Sequence, residues 1–203
     1  MSLSRNQLND YLKTINIQDK RVLDVGVQDK PTSRLTQGTP LTYKTLDIDP
    51  QWKPDIVGDL NDPELTVKLL QESAYQDTDG TNIGFDTVFC IEVLEHCWDP
   101  VQAITNLSQC MKHGGNLYIS TPFINPHHDQ VDYLRYTNEW YRDVLPRFGL
   151  KPHIMERKAT AGTGLLTAFY QAEGLRVSKI RPEFGHYSNP IGYIVHAVKE
   201  IRV

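Results

Sequence analysis

Acidic side chains lie where four short apolar stretches of the sequence end, at Asp24, Asp47, Asp59 and Glu92. The carboxylate of Asp24 suits an ammonium group of a ligand, directly or through water, and would repel a pyrophosphate. Asp47 can accept hydrogen bonds from both hydroxyls of a ribose. Asp59 can hold an adenine amino group, and the adjacent Leu60 can cover the ring. These positions are therefore candidate ligand contacts.

Alternating strands and helices must position these acids. Because ligands of open α/β sheets bind beyond the carboxyl ends of the strands, the acids are expected at one edge of a sheet. Leu8, Leu12 and Ile15 predict an opening amphipathic helix, and Thr137 is the predicted N-cap of a late helix that Pro146 kinks or ends. Further helices are predicted over residues 62–72 and 99–112. Strands are predicted over residues 21–25, 41–48, 55–57, 85–91, 116–121, 153–156 and 193–198.

The alternation predicts an α/β fold of about seven strands, mostly parallel, with helices on both faces. The length of 203 residues suits one domain. Three cysteines without a C-x-x-C pair argue against a disulfide framework or a zinc site and favour reduced thiols in the cytoplasm. No apolar run is long enough to span a membrane.

The net charge of −4 gives no reason to expect nucleic acid or a membrane surface as a partner. Basic residues concentrate most between positions 142 and 158, mixed with acids, and this cluster is interpreted as a solvated surface. Its members are Arg142, Arg147, Lys151, Arg157 and Lys158.

The segment 92–96 (E-V-L-E-H), followed by Asp99-Pro100, resembles the small class I S-adenosylmethionine-dependent methyltransferases. Their pattern is a strand ending in D-x-G-x-G, an acid ending the second strand, an acid after the third, and E-V-L-E-H beyond the fourth. The resemblance implies a Rossmann-like methyltransferase fold with S-adenosyl-L-methionine as cofactor. It also implies an N-terminal helix within residues 1–20, a cofactor-binding half over 21–121 and an acceptor-side half over 122–203. The implied cofactor contacts are Asp24, Gly26, Asp47, Asp59, Leu60 and Glu92.

A departure from the family's pattern lies in the first loop. Gln28 stands where the family has its second glycine, and a bulkier loop there could crowd the methionine part of the cofactor. The alternative function is therefore a scaffold of the same fold that binds the cofactor poorly or not at all. A nicotinamide oxidoreductase would need G-x-G-x-x-G after the first strand, which this chain lacks.

Residues 132–137 (D-Y-L-R-Y-T) resemble a D-Y-x-R-[FY]-T segment of one methyltransferase subgroup, often linked with sugar or glycan methylation. The resemblance implies methyl transfer to a small-molecule or glycan acceptor, at oxygen. His128 is the predicted base, with Asp132 orienting it or replacing it. The alternative is a structural ion pair between Asp132 and Arg135. Tyr133 or Tyr136 either stacks on the acceptor or packs the loop; no metal site is expected, and the oligomeric state stays open.

Overall fold

The computed structural model describes residues 3–73, 84–124, 130–158 and 190–201, and within them seven strands form one sheet. The strands are β1 (Arg21–Val25), β2 (Thr42–Asp47), β3 (Ile56–Val57), β4 (Phe85–Ile91), β5 (Met111–Pro122), β6 (Leu150–Lys158) and β7 (Pro190–Lys199). Their order across the sheet is β3-β2-β1-β4-β5-β7-β6. The helices are α1 (Leu3–Leu12), α2 (Leu65–Glu72), α3 (Pro100–Gln109) and α4 (Asn138–Val144).

The first five strands in this order are parallel, and β7 runs antiparallel between β5 and β6. This arrangement confirms the predicted α/β fold with a mostly parallel sheet. The carboxyl ends of the parallel strands therefore meet at one edge, where the sequence places its acids. The hairpin of β6 and β7 continues the sheet beyond β5.

Helices cover both faces of the sheet. Along β1, Val22 packs in one buried cluster with Leu8 and Leu12 of α1, whereas Leu23 packs in another with Leu69 of α2 and with α3. Neighbouring strand residues point to opposite faces, so a fully buried strand must be apolar at successive positions.

The predicted N-caps at Asp99 and Thr137 are confirmed, but several element boundaries differ, and the helix predicted over residues 62–72 begins only at Leu65. Asp99 accepts from the amide of Gln102 at the start of α3, and Thr137 accepts from that of Trp140 at the start of α4. The predicted helix 99–112 ends instead at Gln109, because Met111 pairs with Phe85 of the buried β4.

Cys90, Cys97 and Cys110 are buried and form no disulfides. Within the described ranges, no helix is both long and apolar enough to span a bilayer.

Candidate active site

Two adjoining cavities lie at the carboxyl ends of β1, β2, β3 and β4. One has a volume of about 110 Å³ and the other about 230 Å³, and Val25, Gly26 and His96 line both. The smaller is also lined by Asp47, Asp59 and Leu60, and the larger by Asp24 and Glu92. The structure thus brings all six predicted cofactor contacts together around the turn that follows β1.

Asp47 and Asp59 retain acceptor capacity toward the smaller cavity. Each carboxylate oxygen of Asp47 receives one backbone amide, from Asp49 at 3.0 Å and from Gln28 at 3.4 Å. Asn61 donates twice to Oδ1 of Asp59, through its backbone at 2.8 Å and its side chain at 2.7 Å. A carboxylate oxygen can accept about two hydrogen bonds, so both acids can bind further donors.

The turn after β1 brings the backbone close to the cavities. Gly26 has φ +69°, and a Cβ there would lie 2.4 Å from Cγ2 of Val93, so only glycine fits. Gln28, at the family's second glycine position, is itself left-handed, with φ +48°. The backbone thus keeps the conformation that glycine would favour there, at a cost of about 1–2 kcal/mol for a residue with a Cβ.

Asp24 is held by its own loop. Its side chain accepts hydrogen bonds from the amide of Thr32 at 2.7 Å, from the Thr32 hydroxyl at 2.9 Å, and from the hydroxyl of Tyr43. Burial raises the pKa of Asp24 to about 6, although these hydrogen bonds act to lower it. In this structure Asp24 anchors the loop that lines the larger cavity, and Oδ1 keeps capacity for one more bond.

Glu92 is the first residue after β4 and has a left-handed backbone, with φ +55°. Its Oε1 accepts from the hydroxyl of Ser120 at 2.7 Å and from Nη2 of Arg157 at 2.8 Å. Neither of these donors bonds to Oε2, and the side chain is 22% exposed at the larger cavity.

Arg157 is not part of a solvated surface, and that expectation is wrong. The residue is 3% exposed, and its Nη2 also donates to the carbonyl of Thr121 at 2.7 Å. Its partner lies 65 positions earlier in the chain, so only the fold brings the two together. No local signal in the sequence distinguishes Arg157 from Arg142, Arg147 and Lys151, which are exposed.

The E-V-L-E-H segment and the loop after β5 are tied together. The carbonyl of Glu95 accepts from the amides of Tyr133 at 2.9 Å and Leu134 at 3.3 Å, and Nδ1 of His96 bonds to the carbonyl of Val131. Burial, followed by the charge of Glu92, raises the pKa of Glu95 to about 8. Glu95 is therefore mostly protonated at neutral pH. His96, which belongs to the E-V-L-E-H motif but is not among the predicted cofactor contacts, lines both cavities.

The chain matches the methyltransferase domain family over residues 4–157. It belongs to this family. S-adenosylmethionine is the cofactor of this family and fold. The site fits it, because the turn at Gly26, which packs too close to Val93 for a Cβ, adjoins carboxylates that can accept further hydrogen bonds.

Known proteins similar to this methyltransferase domain differ in the acceptors for which they are named. A tRNA U34 carboxymethyltransferase of Campylobacter fetus is 29% identical over 58% of this chain and 42% of that protein. A ubiquinone biosynthesis O-methyltransferase of Aliivibrio fischeri is 32% identical over 57% of this chain and 50% of that protein. The chain thus spans about half the length of these relatives.

The fold has solved counterparts. An S-adenosylmethionine-dependent methyltransferase from Mesorhizobium loti superposes with a TM-score of 0.59 at 15% identity, over 97% of this chain and 100% of that one.

The expectation that excluded nucleic acid as a partner is wrong. It rested on the net charge, whereas relatives of this methyltransferase domain are named for acting on tRNA. Net charge averages over the whole surface and does not report the small area that an acceptor contacts.

The predicted catalytic residues are less clearly placed than the cofactor contacts. Asp132 forms an ion pair with Arg135 through both oxygens, one at 2.6 Å, and its side chain is fully buried. Its role as a base stays a prediction that would require the ion pair to open. Tyr136 is buried and donates to the carbonyl of Leu94, so it packs the loop. His128 lies outside the described residues.

Proposed function

We propose that this domain transfers a methyl group from S-adenosylmethionine to an oxygen of a small-molecule or glycan acceptor. The observation that carries the proposal is the convergence of Asp47, Asp59 and Glu92 on two cavities that share the Gly26 turn. These three acids, called the open carboxylates below, face a ligand, whereas Asp24 holds the loop. A relative named as an O-methyltransferase supports oxygen as the accepting atom.

Each open carboxylate takes one part of the cofactor in this proposal. Asp47 accepts from the ribose hydroxyls, Asp59 from the adenine amino group, with Leu60 against the ring, and Glu92 from the amino group of the methionine part. When bound, S-adenosylmethionine supplies an electrophilic methyl group on a sulfonium. The chain aligns the acceptor, excludes water and removes the acceptor's proton; His128 stays our proposed base for that step.

The first test is cofactor binding. S-adenosylhomocysteine is expected to bind, and Asp47→Ala is expected to weaken binding by about 1–3 kcal/mol through the loss of charge-assisted hydrogen bonds. Asp49→Ala is the matched control, because Asp49 lies two residues away, caps the next turn and does not line the cavity. Calorimetry measures both. A folded wild type that fails to bind S-adenosylhomocysteine would contradict the proposed function.

A second candidate acceptor is tRNA, which the names of three relatives favour. Trp98, two residues after the E-V-L-E-H segment, is 63% exposed, and Tyr133, whose amide donates to the carbonyl of Glu95, is 56% exposed. Exposed aromatic rings can stack on unpaired bases. Transfer of labelled methyl groups to bulk tRNA, but not to a phenol or a sugar, would favour this candidate over the first.

A further inference from the structure

We propose that Arg157 is a positioning residue for the cofactor, which it serves by holding Glu92 in place. Arg157 itself does not touch the ligand; it fixes the carboxylate that receives the amino group of the methionine part. This inference rests on the proposed function, because it assigns a role within the same site.

The position of Arg157 depends on a glycine in the neighbouring strand. Arg157 lies on β6, opposite Gly192 of β7, and its guanidinium reaches across β7 to the carbonyl of Thr121 on β5 and to Glu92 beyond β4. A Cβ on Gly192 would lie 2.3 Å from Nη2 of Arg157. Because Gly192 has no side chain, the guanidinium of Arg157 has room to cross β7. Arg157 can therefore connect the hairpin of β6 and β7 to Glu92 at the carboxyl end of β4.

The geometry at Glu92 shows what Arg157 achieves. A left-handed backbone, with φ +55°, is strained for a residue with a Cβ, so the surroundings must hold Glu92 there. Arg157 and Ser120 both bond to Oε1, which fixes the plane of the carboxylate and leaves Oε2 for the larger cavity. Without the guanidinium, the carboxylate can rotate away from the position that suits a ligand ammonium group.

The two parts of the cofactor allow a test that separates positioning from general stability. S-adenosylhomocysteine carries the amino-acid part, whereas 5′-methylthioadenosine keeps the adenosine and lacks it. Arg157→Met is expected to weaken S-adenosylhomocysteine about tenfold and to change 5′-methylthioadenosine less than about twofold. Arg157→Lys is expected to restore part of the loss, because it keeps the charge without the planar fork.

Three further variants keep the test decisive. Ser120→Ala removes the bond to Oε1 whose donor is uncharged. A smaller but equally selective loss of affinity for S-adenosylhomocysteine is expected, and it can be measured even if Arg157→Met does not fold. Glu92→Gln should produce a loss that Arg157→Met does not enlarge in the double variant, because both act on one contact. Arg21→Met is the control, since Arg21 pairs with Asp86 at the opposite end of β4.

The outcomes separate this role from the proposed function. Equal weakening of both ligands by Arg157→Met and Ser120→Ala, or unchanged affinity in both variants, would overturn the positioning role while leaving cofactor binding intact. Binding of neither ligand by the folded wild type would instead refute the proposed function, and the role of Arg157 with it. Selective loss of S-adenosylhomocysteine, absent in Arg21→Met, supports the role.

Discussion

The two ends of β4 each carry a carboxylate paired with an arginine, but the pairs differ in what remains open. Asp86, near the start of the strand, accepts on Oδ2 from the backbone of Arg21 at 2.8 Å and from its Nε at 3.0 Å, and Lys112 pairs with Oδ1. Glu92, just after the strand, accepts from Ser120 and Arg157 on Oε1 alone, which leaves Oε2 free of these two donors, and the residue lines the larger cavity.

The difference shows which end of the strand serves stability and which serves binding. Both oxygens of Asp86 face cations, and Asp86 lies within β4, at the register shift between Phe85 and Thr87, without a left-handed φ. Glu92 combines an open acceptor with a strained backbone, a combination that recurs at functional sites. An acid near a strand start and an acid past a strand end can thus look alike in sequence and yet have opposite roles.

The largest expected effect comes from removing the carboxylate of Asp86, which pairs with Arg21 and Lys112. Asp86→Asn should lower the free energy of unfolding by about 3–5 kcal/mol, because an amide nitrogen would face buried Arg21 or half-buried Lys112 where a carboxylate oxygen now accepts. Glu92→Gln should cost less, about 1–2 kcal/mol, because the amide oxygen can still accept from Arg157 and Ser120. Urea unfolding measures both. Equal losses would remove the distinction between the two ends.

A second test uses pH and a carboxyl group close to Glu92 in sequence but fully buried. The folded pKa of Glu95 is raised from 4.5 to about 8, so the folded state holds this proton more tightly than the unfolded state. Its contribution to stability is therefore complete below about pH 4.5 and is lost as the pH rises toward 8. The pKa of Asp24 is raised from 3.8 to about 6, so its contribution to stability also declines as the pH rises, over a lower pH range.

Glu95→Gln removes this titration. The fall in unfolding free energy from pH 5 to pH 8 should therefore be about 2–4 kcal/mol smaller in this variant than in the wild type. Asp86 provides the contrast. Burial would raise its pKa, but hydrogen bonds from Lys112 and Arg21 outweigh burial, so the pKa is lowered and its contribution is lost only as the pH falls below the ordinary value near 3.8. A wild type whose stability does not decline from pH 5 to pH 8 would contradict the assignment for Glu95.

The comparison also shows how far the sequence could predict this molecule. The strands, the caps at Asp99 and Thr137, and the acids at strand ends depend on local pattern, so they could be found without coordinates. The partner of Glu92 could not, because it comes from a different part of the chain and depends on Gly192 leaving room. The end of α3 was misplaced for a related reason, since pairing with β4 outweighs local helix preference.

The smallest expected effect concerns Gln28, where the family has glycine. Gln28→Gly should change the free energy of unfolding by less than about 1 kcal/mol, because relief of the left-handed backbone, with φ +48°, is offset by the entropy that glycine loses on folding. Affinity for S-adenosylhomocysteine should be kept or improved, because a bulky side chain leaves the rim of the larger cavity. Lys53→Gly is the matched control: Lys53 is also left-handed, with φ +52°, and lines neither cavity, so it should show the same small change in stability and no change in affinity. Thermal unfolding and calorimetry give both quantities. If Gln28→Gly abolishes binding while the control does not, the glutamine is itself a ligand contact, and the departure from the family's pattern is an adaptation of this site to its ligand.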